Sequence, residues 1–252
     1  VMGRLVAAEW TKLLTTRVWI GLLLGSCLLV GGFAALFTAF AGNADSGIAP
    51  VGTPPYEQLA LAVSANANIL FVVLGIIGIT QEYRHRTATP TFLATPQRGR
   101  VVIAKLVAYA LAAVPMALVV MAANVLVVSV YAGAKGDGPS LTGDNLRVLG
   151  GVWAALVLFT VIGVGVGALL RNQVGAIVGA LVYLFVVEGV IRSIPATQGF
   201  YKWLPGGALE AMTATFDLTD LLSAWQGGLV LLAYALVFSL LGTLFAVRRD
   251  VV

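Results

Sequence analysis

Covalent chemistry by a polypeptide needs a nucleophile, a base or a set of metal ligands, and this sequence is poor in all three. His85 is the single histidine and Cys27 the single cysteine. Neither a His-Glu-x-x-His helix, a Ser-His-Asp triad nor a conventional zinc set can be assembled from them. A phosphate-binding loop requires Gly-x-x-x-x-Gly-Lys followed by Ser or Thr. Lys12, Lys105, Lys135 and Lys202 are followed by Leu13, Leu106, Gly136 and Trp203, so the chain has no ATP-hydrolysing loop of its own. The sequence therefore offers no catalytic residue and no metal ligand. What remains are charged and polar groups in an apolar background. They are Glu9 and Lys12 near the N-terminus, the run Glu82-Tyr83-Arg84-His85-Arg86-Thr87, and Glu188 with Arg192 one helical turn later.

That background decides which elements position these groups. Of 252 residues, 60% are apolar and 10% charged, against about 45–50% and about 25% in a soluble domain. A compact soluble domain would leave much of this apolar surface in water, so lipid is the expected solvent. Apolar runs long enough to cross a bilayer lie near residues 18–41, 59–80, 101–131, 146–170, 174–192 and 222–247. The fold class is all-α, a polytopic membrane protein of six spans in a single domain covering 1–252. Ten-residue alternation of the β-barrel kind is absent from these runs. The third run is longer than a bilayer requires and contains Pro115, where a bend is expected. Cys27 is read as a packing residue. The N-terminal stretch runs into a full-length span without a small-residue cleavage pattern, so it is expected to be retained.

Six spans place both termini on one side. Eleven Lys/Arg fall on that side and four on the other, with net charges of +8 and −3. By the positive-inside rule the termini are cytoplasmic. Anionic lipid at the inner leaflet accounts for the basic balance, and no nucleic-acid partner is needed. Residues 1–17 read as an amphipathic interfacial helix, with Met2, Leu5, Val6, Trp10, Leu13 and Leu14 on one face. Glu9 falls within that apolar arc, where it must either reach to water or pair with a basic residue of the next cytoplasmic loop. That loop, 81–100, is the densest cluster of charge, and its Glu, Tyr, His and Thr exceed what topology alone requires; a docking surface is expected. On the opposite side, 193–221 carries aromatics and the breakers Pro195, Pro205 and Gly206-Gly207, and reads as two short helices against or dipping into the outer leaflet. They serve either as an aromatic anchor or in a gate.

Inside the spans, Glu188 is the one acidic residue, and Arg192 is placed to pair with it as an intramembrane ion pair. A proton or substrate role for Glu188 is the alternative. Ser64, Asn66, Asn68 and Asn124 either bond between helices or line a polar substrate path. Gly163 with Gly167, and Gly175 with Gly179, allow close backbone contact, within the chain or between copies.

With the helix Glu9-Trp10-Thr11-Lys12-Leu13, the run Glu82-Tyr83-Arg84 and Thr87, and then Pro96, Arg98 and Ala104-Lys105-Leu106, nearly the whole chain resembles the permease subunits of type-2 ABC transporters. Arg86 departs from the family pattern, in which Gly is common. The resemblance implies that residues 1–17 are a connecting helix and that 81–100 is a coupling loop docking on a separate ATP-binding subunit. Glu82, Tyr83, Arg84, His85, Arg86, Thr87, Glu9 and Lys12 would serve that coupling. It further implies two ATP-binding subunits, a second permease as homodimer or heterodimer, ATP and Mg held by the partner, no cofactor in this chain, and export of a drug, lipid or peptide across a bacterial cytoplasmic membrane. A proton-coupled secondary carrier and a non-transporting immunity or sensor component are the rival readings.

Overall fold

A computed structural model describes residues 2–85, 97–136, 138–213 and 221–248. The chain is 84% helical, with no strand among the described residues. Helix α1 (Met2–Thr16) precedes α2 (Val18–Phe40). The break between them is Arg17, held at a left-handed φ of 55°, a conformation in which a non-glycine residue stops a helix. Next come α3 (Pro54–Ala62), a 3-10 turn (Val63–Ala67) and α4 (Asn68–Arg84), which together form one apolar rod, Pro54–Arg84. Helix α5 (Arg98–Ala134) runs unbroken through Pro115. At about 1.5 Å per residue its 37 residues extend about 55 Å, well beyond a hydrocarbon core of about 30 Å.

Helix α6 (Gly143–Leu170) ends at Arg171, the second left-handed residue, with φ 51°. The fifth span is composite: α7 (Gln173–Val182), a π-helical turn (Tyr183–Val187) and α8 (Glu188–Ser193). Short helices α9 (Gln198–Tyr201) and α10 (Pro205–Thr213) follow, and α11 (Ala224–Arg248) is the last span. Six helices are thus long and apolar enough to cross a membrane, and their bounds lie close to those expected. The second is longer than its apolar run, because Pro54 starts the helix and the 3-10 turn passes it on without a break.

The core is the pairing of the second and fourth spans. Most of α4 and α6 is buried, whereas α2, the fifth span and α11 turn most of their surface outward, as lipid-facing helices do. Small residues permit the close approach. A Cβ on Gly75 would stand 2.1 Å from the Thr160 carbonyl oxygen, and one on Gly163 would stand 2.2 Å from that of Val72. Gly163 and Gly167 therefore serve packing within the chain. A Cβ on Gly179 would meet nothing within 4 Å.

Helix α10 sits inside the bundle. Its Ala208, Leu209, Ala211 and Met212 are buried, and it rests against glycines of two spans: Gly151 beneath Met212 and Gly227 beneath Ala208. The helix thus packs against the chain's own spans. Phe200, Trp203 and Trp225 remain exposed. At this same end Glu57 of α3 accepts hydrogen bonds from the backbone and hydroxyl of Ser140 and from Asn145, joining α3 to the start of α6.

Candidate functional site

Four charged side chains from three separate elements meet at the face that carries α1. Lys105, near the start of α5, is only 1% exposed, Glu9 of α1 4% and Glu82 near the end of α4 6%. The Lys105 ammonium lies 2.5 Å from Glu9 Oε2 and 3.1 Å from Glu82 Oε1. Lys12, one turn after Glu9, donates to Glu9 Oε1 and Glu82 Oε1, each at 2.7 Å. Among the described residues two carboxylates and two ammoniums alternate, and their charges balance. That balance makes their burial tolerable, since a lone buried ion costs several kcal/mol. The third donor of Lys105 reaches the Gly78 carbonyl at 3.3 Å.

Each member is placed by local structure. Glu9 and Leu13 are the buried positions of α1 and lie one turn apart, so the carboxylate on the apolar arc faces protein and not lipid. Of its two expected fates, pairing prevails. Burial lowers the Lys12 pKa, but the hydrogen bonds to Glu82 and Glu9, with their charges, outweigh it, and the net shift is upward. Tyr109, one turn beyond Lys105 on α5, fills the space over Gly78, where a Cβ would fall within 2.3 Å of its ring. The close seating of α5 on α4 brings Lys105 to Glu82.

The residues expected to form a docking surface therefore separate into two groups. Glu9 and Glu82 face inward and hold helices together, with Lys12 at the rim. Arg84 and His85 are exposed at the end of α4. Tyr83 is partly covered, with the Arg171 guanidinium 5.7 Å from its ring centroid. Arg171 also donates to the Phe245 carbonyl at 2.7 Å, tying the ends of α4, α6 and α11 at this face. Arg86 and Thr87 lie outside the described residues. Lys105 is the member that sequence reasoning missed, since it entered only as part of the Ala104-Lys105-Leu106 motif. Its position at the charged start of an apolar helix was the available signal.

The expected Glu188–Arg192 pair is corrected. Arg192 instead binds Glu210 Oε1 at 2.7 Å, and Glu188 Oε2 accepts the Gly206 backbone N–H at 2.8 Å. The reason is α10, whose N-terminus and Glu210 lie opposite α8 and compete successfully with the neighbour on the same helix. Glu188, Arg192, Tyr201 and Glu210 line a cavity of about 360 Å³ in the half of the bundle away from α1, which Asn66 and Asn68 also face. The other two polar candidates turn away from it. Ser64 bonds the Leu61 carbonyl of its own helix. Asn124, fully buried, donates to the carbonyls of Ala60 and Leu61 and pins α5 to the approach to the 3-10 turn.

Among the described residues no group of three or more His, Cys, Asp or Glu is placed to hold a metal ion. One ionic clasp binds α1 to the two helices that flank residues 86–96, and one polar cavity lies at the opposite end. No curated protein sequence matches the chain. A family model described as ABC-2 family transporter protein matches residues 5–187, a stretch that includes most of α1, the ionic cluster, the first four spans and most of the fifth. The chain belongs to the ABC-2 transporter family and is a multi-pass membrane component of it.

Proposed function

We propose that the chain is the permease subunit of an ATP-driven exporter, working with two copies of a separate ATP-binding subunit and a second permease, identical or different. ATP and Mg belong to the partner; this chain passes on the motion. The observation that carries the reading is the cluster Glu9–Lys12–Glu82–Lys105. It joins α1, α4 and α5, so a push on the connection between α4 and α5 moves three helices as one body. Arg84 and His85, exposed beside that body, offer the contact to a partner. The positive-inside count supports a cytoplasmic position for this face, and the family resemblance supports a bacterial cytoplasmic membrane. The mostly apolar spans suit a hydrophobic or amphipathic cargo. Two arrangements of the bundle, favoured differently by ATP-bound and ATP-free partners, would change access to the cargo path.

The test begins with affinity purification of the full chain and identification of a co-purifying subunit bearing Gly-x-x-x-x-Gly-Lys-Ser/Thr. Arg84→Ala should then weaken co-purification and lower ATP hydrolysis by the complex several-fold without changing the melting temperature of the chain. Undiminished assembly and hydrolysis would remove Arg84 from the docking surface, and flux by the purified chain without any ATPase would overturn the permease reading itself.

A further inference from the structure

The cavity at the far end holds an unfilled demand for hydrogen-bond donors. Glu188 is 2% exposed; its Oε2 takes the Gly206 N–H, and its Oε1 has no partner among the described residues. Glu210 Oε1 receives both Arg192 at 2.7 Å and the Tyr201 hydroxyl at 3.0 Å, while its Oε2 is likewise buried and without a partner among those residues. A buried acceptor left bare is costly, and more so when it is charged. Both carboxylates border the same open volume, whose remaining wall is largely aromatic and aliphatic: Phe33, Phe37, Phe185, Leu59, Leu184 and Leu209. Arg192 is already engaged with Glu210 and stands 5.5 Å from the Tyr201 ring centroid.

From this geometry we infer that the cavity is a binding site for an organic cation, an ammonium on a hydrocarbon body. The ammonium brings the donors that Glu188 Oε1 and Glu210 Oε2 lack. The aromatic faces stabilise its charge, and the aliphatic wall takes the hydrocarbon. A volume of about 360 Å³ lies within the usual range for small-molecule sites and is far larger than proton transfer between carboxylates requires. The π-helical turn Tyr183–Val187 immediately before Glu188 sets the register that presents the carboxylate, a use to which such turns are often put. That the cation is transported cargo rests on the permease reading; that it binds does not.

The experiment uses the full chain in lipid nanodiscs, with empty nanodiscs as the blank, and measures binding of 4-phenylbutylammonium and of its neutral counterpart 4-phenyl-1-butanol by calorimetry and saturation-transfer NMR. The expected result is saturable binding of the ammonium, with the alcohol at least tenfold weaker. Glu188→Gln should weaken the ammonium at least tenfold and leave the alcohol unchanged. Asp45→Asn, an exposed carboxylate elsewhere, should alter neither. Glu210→Gln gives the same readout should Glu188→Gln not yield a monodisperse protein. Absence of saturable ammonium binding, equal affinity for the alcohol, or undiminished ammonium binding in the carboxamide variants would overturn the proposal. No ATPase takes part, so this outcome is independent of whether a partner subunit is found.

Discussion

Replacing Lys105 by Met retains the length of the side chain and removes its charge, and the cluster geometry sets the cost. Lys105 is 1% exposed and contacts both carboxylates from inside the bundle; Lys12, its counterpart, has a side chain 40% exposed. In Lys105→Met, Glu9 and Glu82 stay buried and lose one of the two ammoniums that bridge them among the described residues. Breaking a buried ion pair from one side costs about 3–5 kcal/mol, which at this chain length lowers a melting temperature by roughly 6–20 °C. Lys12→Met, at the solvated rim, should cost on the order of 1 kcal/mol. The discriminating variant is Lys105→Met with Glu9→Gln. It removes the carboxylate that Lys105 faced and leaves the Lys12–Glu82 pair, so it should be more stable than Lys105→Met alone, with a coupling of about 1–3 kcal/mol. Unfolding in mixed detergent micelles, followed by circular dichroism, measures all four proteins. A Lys105→Met protein within about 1 kcal/mol of wild type, or a double variant no more stable than the single, would refute the clasp.

Gly163→Ala should destabilise by about 1–3 kcal/mol, because its new methyl meets the Val72 backbone, which cannot swing aside as a side chain would; Gly179→Ala, facing open space, should be neutral or slightly stabilising in the same assay. Asn124→Leu removes two hydrogen bonds to the Ala60 and Leu61 carbonyls and should cost about 1–2 kcal/mol, whereas Ser64→Ala, which loses a bond only to its own helix, should cost less. Burial raises the Glu210 carboxyl above its ordinary value of 4.5, against the opposing pull of Arg192 and Tyr201. The folded chain then holds that proton more tightly than the unfolded one, so this contribution to stability is full below 4.5 and is lost as pH rises through the folded value. Glu210→Gln should abolish that slope in a pH series of unfolding midpoints.

The six spans were legible to within a few residues because an apolar run long enough to cross a bilayer is a local property, set by the solvent and by helix rise. The two short helices after the fifth span were legible for a related reason: Pro205 can start a helix but cannot continue one from before it. Within the candidate site, Glu9 stood out as a carboxylate on an apolar arc, and Glu188 as an acid within a span. Their partners were not. Glu9 and Lys105 are 96 positions apart, and no periodicity links α1 to α5.

Arg192 shows the converse. Spacing on one helix favoured Glu188, yet the guanidinium goes to Glu210, 18 positions on, because α10 folds back into the bundle and offers a better-placed carboxylate. Composition and run length determined that this chain lives in lipid and how often it can cross. Which charges neutralise one another, which glycines bear close contacts and where a cavity opens were decided only when helices distant in sequence packed together, since a buried charge takes its partner from whatever lies within a few ångströms in space.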